Sequence, residues 1–194
     1  MLAIFRNLVF KIYKILNFLI FKIGRLKKPY PNVNGMLLLV NKGGEIEFGS
    51  NCIINSHKFK NIIGGDTRSS IVIEKNAKII IGNNFRMSNS SICCANKVTF
   101  GENVMVGGSC KIWDSDFHPI NPIQRNLTPN TNYLSKEIKI GNNVFIGGCS
   151  IILKGVTIGD NAVIGAGSVV SKSVPCDEIW AGNPAVFIKK NNVD

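Results

Sequence analysis

The sequence predicts an all-β chain wound as a parallel β-helix behind one amphipathic helix, and three observations predict it. Aliphatic residues recur six apart at Ile140, Ile146, Ile152, Ile158, Ile164 and Val170. The residue that follows is usually glycine (Gly141, Gly147, Gly159, Gly165). The residue four on is always small or β-branched: Val144, Ser150, Val156, Ala162, Ser168, Val174. A helix repeats every 3.6 residues and a strand every two, so neither gives this spacing. A coil built from hexapeptide faces does.

Residues 1–28 come first and read as a helix of about seven turns. On a helical projection Arg6, Asn7, Lys11, Lys14, Asn17, Lys22 and Arg25 gather on one side, and Leu, Ile, Phe and Val fill the other. The longest uncharged interior stretch, from Ile15 to Phe21, is far shorter than the ~20 residues of a membrane span. Lysines interrupt the apolar run and no small-residue cleavage site follows, which argues against a signal peptide. Two readings stay open. The helix lies in a membrane interface with its cations on anionic lipid, or its apolar face packs on its own domain or a neighbouring subunit. Gly24, Pro29 and Pro31 end it.

The coil occupies residues 29–175, leaving 176–194 as a tail. Cys94, Phe100, Val106 and Ile112 continue the six-residue spacing upstream, with Val98, Val104 and Cys110 at the small position; Ile81 and Met87 are one residue out of phase. Residues 55–70 fit poorly and are expected to bulge. Three six-residue faces return the chain to its starting edge after about 18 residues. Each inward aliphatic then stacks about 4.8 Å above its equivalent. Corners need positive φ, and the pairs Gly82-Asn83, Gly141-Asn142 and Gly159-Asp160 are the expected places for it.

Between Ile112 and Ile140 the period disappears. Residues 113–139, stiffened by Pro119, Pro122 and Pro129, form a loop thrown out of the scaffold, the kind of place where chemistry resides. At its mouth, His118 follows Asp114 and Asp116. A histidine beside carboxylates at a rigid edge suits a general base, with Asp114 or Asp116 orienting its ring. From spacing alone a solvated surface histidine explains the segment equally well. His57, in a polar run, has no such support.

Bulk properties exclude several classes. The net charge is +11, but eight basic residues precede the first acidic one, Glu45, so the excess is concentrated at the N-terminus and does not suggest nucleic acid. The six cysteines show no C-x-x-C or zinc spacing, and free thiols in a reducing compartment are expected. A metal-dependent hydratase on such a coil needs three histidines, and the chain has two.

The run from Ile140 to Pro175, the Ala181-Gly182-Asn183-Pro184-Ala185 segment and Asp114-Ser115-Asp116-Phe117-His118-Pro119 together resemble the hexapeptide-repeat acyltransferases. The likeness is to the branch of maltose, galactoside and xenobiotic O-acetyltransferases. It covers about residues 94–190. It implies a left-handed coil and a cytoplasmic homotrimer that binds acetyl-coenzyme A between subunits without a metal. It also implies that His118 removes the acceptor's proton and that Gly148 lines the thioester. Ala166 would contact the pantetheine arm, Ser171 and Lys172 the phosphates, and Lys189 the nucleotide. Val186 stands where a basic residue is expected, which weakens Lys189 or passes its role to Lys190. A ping-pong route would need a nucleophilic thiol, for which Cys149 is the one candidate. The resulting expectation is acetyl transfer to a sugar hydroxyl in bacterial surface polysaccharide assembly, with residues 1–28 bringing the enzyme to the inner membrane face. N-acetylation of an amino sugar or an antibiotic-like acceptor, and a non-catalytic binding or structural β-helix, remain alternatives.

Overall fold

The computed structural model describes residues 2–127 and 133–192, with side chains from Asn7 onward. Helix α1 (Leu2–Ile23) is followed by coil after coil of short strands. The first coil holds β1 (Asn32–Gly35), β2 (Leu38–Asn41) and β3 (Glu45–Phe48); the second holds β4 (Ile53–Ser56), β5 (Ser70–Ile73) and β6 (Lys78–Ile81). The third holds β7 (Arg86–Ser88), β8 (Ser91–Cys94) and β9 (Lys97–Phe100). In the fourth, β10 (Met105–Gly108) and β11 (Lys111–Trp113) are separated from β12 (Ile138–Ile140) by the long insert, which carries α2 (Pro122–Arg125). Then come β13 (Phe145–Ile146), β14 (Ile151–Ile152), β15 (Thr157–Ile158), β16 (Val163–Ile164) and β17 (Val169–Val170), and finally β18 (Glu178–Gly182) and β19 (Ala185–Lys190).

These strands stack into three parallel sheets, the faces of a prism. The first face runs β1-β4-β7-β10-β13-β16-β18, the second β2-β5-β8-β11-β14-β17, the third β3-β6-β9-β12-β15. The pairing Phe145↔Val163 and Ile151↔Val169 gives the expected 18-residue turn. The chain is a left-handed parallel β-helix, the handedness that the family resemblance implies. Inside, Ile54, Met87, Val106, Ile146 and Ile164 form one buried column and Ile71, Ile92, Ile112, Ile152 and Val170 another. Each contributes roughly 1.5–3 kcal/mol of burial. The last described strand, β19, turns back antiparallel on β18 and leaves Val186, Phe187 and Ile188 about half exposed.

The corner glycines correct one expectation. Gly82, Gly141 and Gly159 do not carry the positive φ; Asn84, Asn143 and Asn161 do, at +59°, +56° and +58°. The glycines are required for space instead. A Cβ on Gly82 would stand 2.4 Å from the carbonyl oxygen of Gly101, and one on Gly159 would stand 2.4 Å from the backbone nitrogen of Cys176. Asparagine tolerates the left-handed backbone, and here its side chain also bonds to the next coil. Amide donation runs from Asn84 to Asn103 (2.9 Å), Asn103 to Asn143 (3.0 Å), Asn143 to Asn161 (3.0 Å) and Asn161 to Asp177 (2.8 Å).

Helix α1 is shorter than the 1–28 reading, ending at Ile23 before a turn. It packs on β1 through Phe21 and Asn17, both buried. Asn17, which the projection groups with the basic residues, is buried and is the polar anchor. Its Nδ2 donates to Gly35 O at 2.8 Å and its Oδ1 accepts from Leu37 N at 3.1 Å. The first coil has no coil above it, so its backbone groups need another partner. A carboxamide supplies donor and acceptor at once.

Candidate active site

The insert leaves and re-enters the prism at the second corner, between the second and third faces. Its neck is closed by Asp116 N–H to Leu134 O (3.0 Å) and Lys136 N–H to Asp114 O (2.8 Å), with Ser115 bridged to Ser135. Residues 117–127 and 133 project beyond that neck; 128–132, including Pro129, lie outside the described residues. Asp114 is fully buried. Its carboxylate accepts from Ala95 N (2.7 Å), Asn96 N (2.8 Å) and the Cys94 thiol (3.5 Å), so it ties the neck to the coil above. Burial, then the nearby Asp114 charge, pushes the Cys94 thiol far up. Asp116 ties the neck to the coil below through an ion pair with Lys154. Its Oδ2 is buried and without a hydrogen-bond partner among the described residues.

The two aspartates therefore have different surroundings. Asp114 is spent on the corner of the scaffold, whereas Asp116 keeps a free acceptor beside the loop mouth. His118 is exposed, and its backbone N–H donates to Asp116 O across Phe117. The tip beyond carries exposed Ile120, Ile123 and Leu127, with α2 capped by Asn121, whose Oδ1 accepts from Ile123 N at 2.9 Å.

Gly148 and Ala166 lie at a different corner, the first, between the first and second faces. Gly107 and Gly108, Gly147 and Gly148, and Ala166 and Gly167 stack there in a column without large side chains. A Cβ on Gly107 would come within 2.5 Å of Gly148 N, and one on Gly147 within 2.5 Å of Ala166 N. Cys149 N–H bonds to Gly108 O (2.7 Å) and Gly167 N–H to Gly148 O (2.9 Å), which fixes the column. The N–H groups of Gly148 and Ala166 form no hydrogen bond among the described residues. Cys149, exposed at φ +62°, sits at this corner and not beside the loop neck.

Ser171 and Lys172 are exposed at the second corner, two coils below the neck; Lys189 is exposed on β19. Lys190 is committed to Glu178 at 2.8 Å, and this pairing, with a bond from the Trp180 indole, holds the Glu178 carboxyl below its ordinary range. Within one chain the structure thus brings His118, Asp116, Ser171 and Lys172 to one corner, and Gly148 and Ala166 to another. The second face lies between them.

One contributor was not legible. Residues 57–68 do bulge from the second coil, but they descend along the first corner. Gly64 O accepts from Ser109 Oγ at 3.2 Å, and Gly64 lies against Gly108. This places the exposed Ile62 and Ile63 next to the top of the glycine column. Only the broken period marks this loop in the sequence; nothing in it tells where the loop goes.

Comparison with known proteins agrees with this architecture. The bacterial transferase hexapeptide model (six repeats) matches residues 137–172. A candidate acetyltransferase of Dictyostelium discoideum is 38% identical over 136 residues, covering 65% of this chain and 68% of that protein. The chain belongs to the hexapeptide-repeat acyltransferases. Among solved members, an acetyltransferase of Vibrio cholerae complexed with acetyl-coenzyme A superposes with a TM-score of 0.56 at 29% identity. That match covers 63% of this chain and 65% of the Vibrio chain. A maltose O-acetyltransferase of Clostridium difficile is also 29% identical, with a TM-score of 0.50, covering 84% of this chain and 70% of its own.

Proposed function

We propose that the protein transfers an acetyl group from acetyl-coenzyme A to a sugar hydroxyl, as a homotrimer, with His118 as general base. The observation that carries this reading is the placement of His118 and Gly148 on opposite corners of the second face. A single prism leaves the base and the glycine column apart. A second copy, set with its second corner against the first corner of its neighbour, completes the site. The apolar loop tip at Ile120, Ile123 and Leu127 is suited to that neighbour's surface.

The residues fit the donor. A pantetheine arm is narrow, and the column of glycine and alanine offers a smooth edge with unpaired N–H groups at Gly148 and Ala166. Ser171, Lys172 and Lys189 supply the cations and hydroxyl that phosphates need. The donor brings its acetyl group already activated as a thioester. His118 accepts the proton of the acceptor hydroxyl as its oxygen attacks the thioester carbonyl, and Gly148 N–H donates to the oxyanion that develops. Collapse of that intermediate breaks the C–S bond, His118 returning its proton to the departing coenzyme A thiolate. The acceptor is a glycan of a surface polysaccharide, met at the inner face of the membrane to which residues 1–28 bring the enzyme.

The test is thiol release from acetyl-coenzyme A by the full chain against a panel of sugars and glycans, together with its mass in solution. Hydroxyl-dependent release by a trimer supports the reading. A monomer active at full rate refutes the shared site.

A further inference from the structure

The packing of α1 leaves two features unused. The first is an apolar stripe facing away from the prism: Leu8, Ile12, Ile15, Leu19 and Ile23 are 55%, 47%, 64%, 47% and 82% exposed. Their spacing of four, three, four and four residues aligns them along one side of the helix, while Asn17 and Phe21 bind the opposite side to the prism. The second is a cavity of about 580 Å³ between α1 and the start of the 57–68 loop. Lys11, Lys14 and Lys60 line it with Asn7 and Asn34, and no carboxylate does. Lys60 stands 5.3 Å over the Phe10 ring, which holds its ammonium toward the helix. Among the described residues none of these three lysines is ion-paired, although eight other lysines are.

We propose that this cavity seats the phosphate of an anionic phospholipid headgroup while the Leu8–Ile23 stripe lies in the acyl boundary. The inference deepens the membrane part of the proposed function and rests on it. Three converging ammonium groups without an internal counter-charge suit a phosphodiester, whose oxygens accept from ammonium and carboxamide donors alike. On the helical projection Lys11 lies beside the stripe, about 80° from its centre, and Lys14 farther round toward the prism, so the cavity flanks the stripe on one side of the helix. A headgroup held by the first places its acyl chains beside the second. A helix with this division lies in the membrane plane, and about 1 kcal/mol per lysine is the attraction of such cations to an anionic surface.

The experiment is cosedimentation of the full chain with phosphatidylcholine vesicles, with and without phosphatidylglycerol. The wild type is expected to bind only the anionic vesicles. A triple variant, Lys11→Gln, Lys14→Gln and Lys60→Gln, is expected to bind them about 100-fold more weakly, with its melting temperature and its acetyl transfer to a soluble acceptor unchanged. A second triple variant, Lys22→Gln, Lys27→Gln and Lys28→Gln, removes as many charges outside the cavity and is expected to lose much less. Equal losses in the two variants overturn the headgroup site but leave membrane binding standing. Binding of the wild type to neutral vesicles as strong as to anionic ones does the same. No binding to either vesicle removes the membrane reading itself.

Discussion

The backbone N–H of His118 donates to the carbonyl of Asp116 at 2.7 Å, and the intervening Phe117 is held at φ +60°. A three-residue reversal with positive φ at its centre is rare and strained for a non-glycine residue. It persists because the flanking neck is fixed from above by Asp114 and from below by the Asp116–Lys154 ion pair. The reversal turns His118 out of the neck at the mouth of the insert. Such local strain held by its surroundings is common at functional sites.

If His118 is the base, His118→Ala lowers acetyl transfer by roughly 10²–10⁴. Its side chain is exposed and outside the core, so mass in solution and melting temperature are expected to stay at wild-type values. Undiminished turnover would take His118 out of the reaction.

Asp114 is expected to act on stability and not on the pH–rate profile. Replacing it by alanine leaves the N–H groups of Ala95 and Asn96 without their acceptors, at about 1–3 kcal/mol for each group left buried and unpaired. For a chain of this size each kcal/mol lowers the melting point by about 2–4 °C. A thermal scan of Asp114→Ala beside its rate at several pH values separates the roles: a profile displaced without loss of stability would mean that Asp114 orients the imidazole after all.

Asn17→Asp keeps the acceptor for Leu37 N–H but loses the donor to Gly35 O; Asn17→Ala loses both. Both variants are expected to unfold more easily than wild type, by about 1–3 kcal/mol for each buried group left unpaired, and the aspartate carries an added penalty for burying its charge against the Gly35 carbonyl. Denaturant titration of the three chains measures both losses. An alanine variant as stable as wild type would mean that α1 does not depend on this anchor.

His57 gives the α1–loop contact a pH dependence. Its ring lies among Phe10, Tyr13 and Phe59. Burial first, then the charges of Lys58 and Arg68, lower its pKa below the ordinary 6.5, against a smaller opposing effect of Asp66. The folded chain thus favours the neutral ring, and the unfolded chain binds the proton more readily. The stability from this neutral contact is complete above pH 6.5 and is lost progressively as pH falls below it. Protease cleavage of the 57–68 loop is expected to accelerate on acidification in the wild type and not in His57→Phe.

The corner residues allow a comparison that composition alone would not suggest. Gly82→Ala places a Cβ 2.4 Å from the Gly101 carbonyl, against backbone that has no room to yield. Asn84→Gly keeps the permitted φ and loses only exposed side-chain bonds. Chemical denaturation should show the glycine substitution to be clearly the more costly of the two.

The six-residue spacing of Ile140 to Val170 determined the coil, its three faces and its inward columns, because a period is a local property and each turn repeats the same burial. The broken period at 113–139 likewise marked the loop. Similarity of the insert's mouth to its family marked His118. What the spacing did not carry was distance across the fold. Asp114 and Asp116 stand two apart in the chain, yet one bonds to the coil above and the other to the coil below. Asn17 looked like one more polar residue on a basic side until the uncovered backbone of the first coil took its carboxamide. The separation of His118 from Gly148 by a whole face also emerges only when the coils are stacked. Residues alone specify what repeats; the pairing of unsatisfied groups between coils, which depends on the closed prism, decides what each non-repeating residue is for.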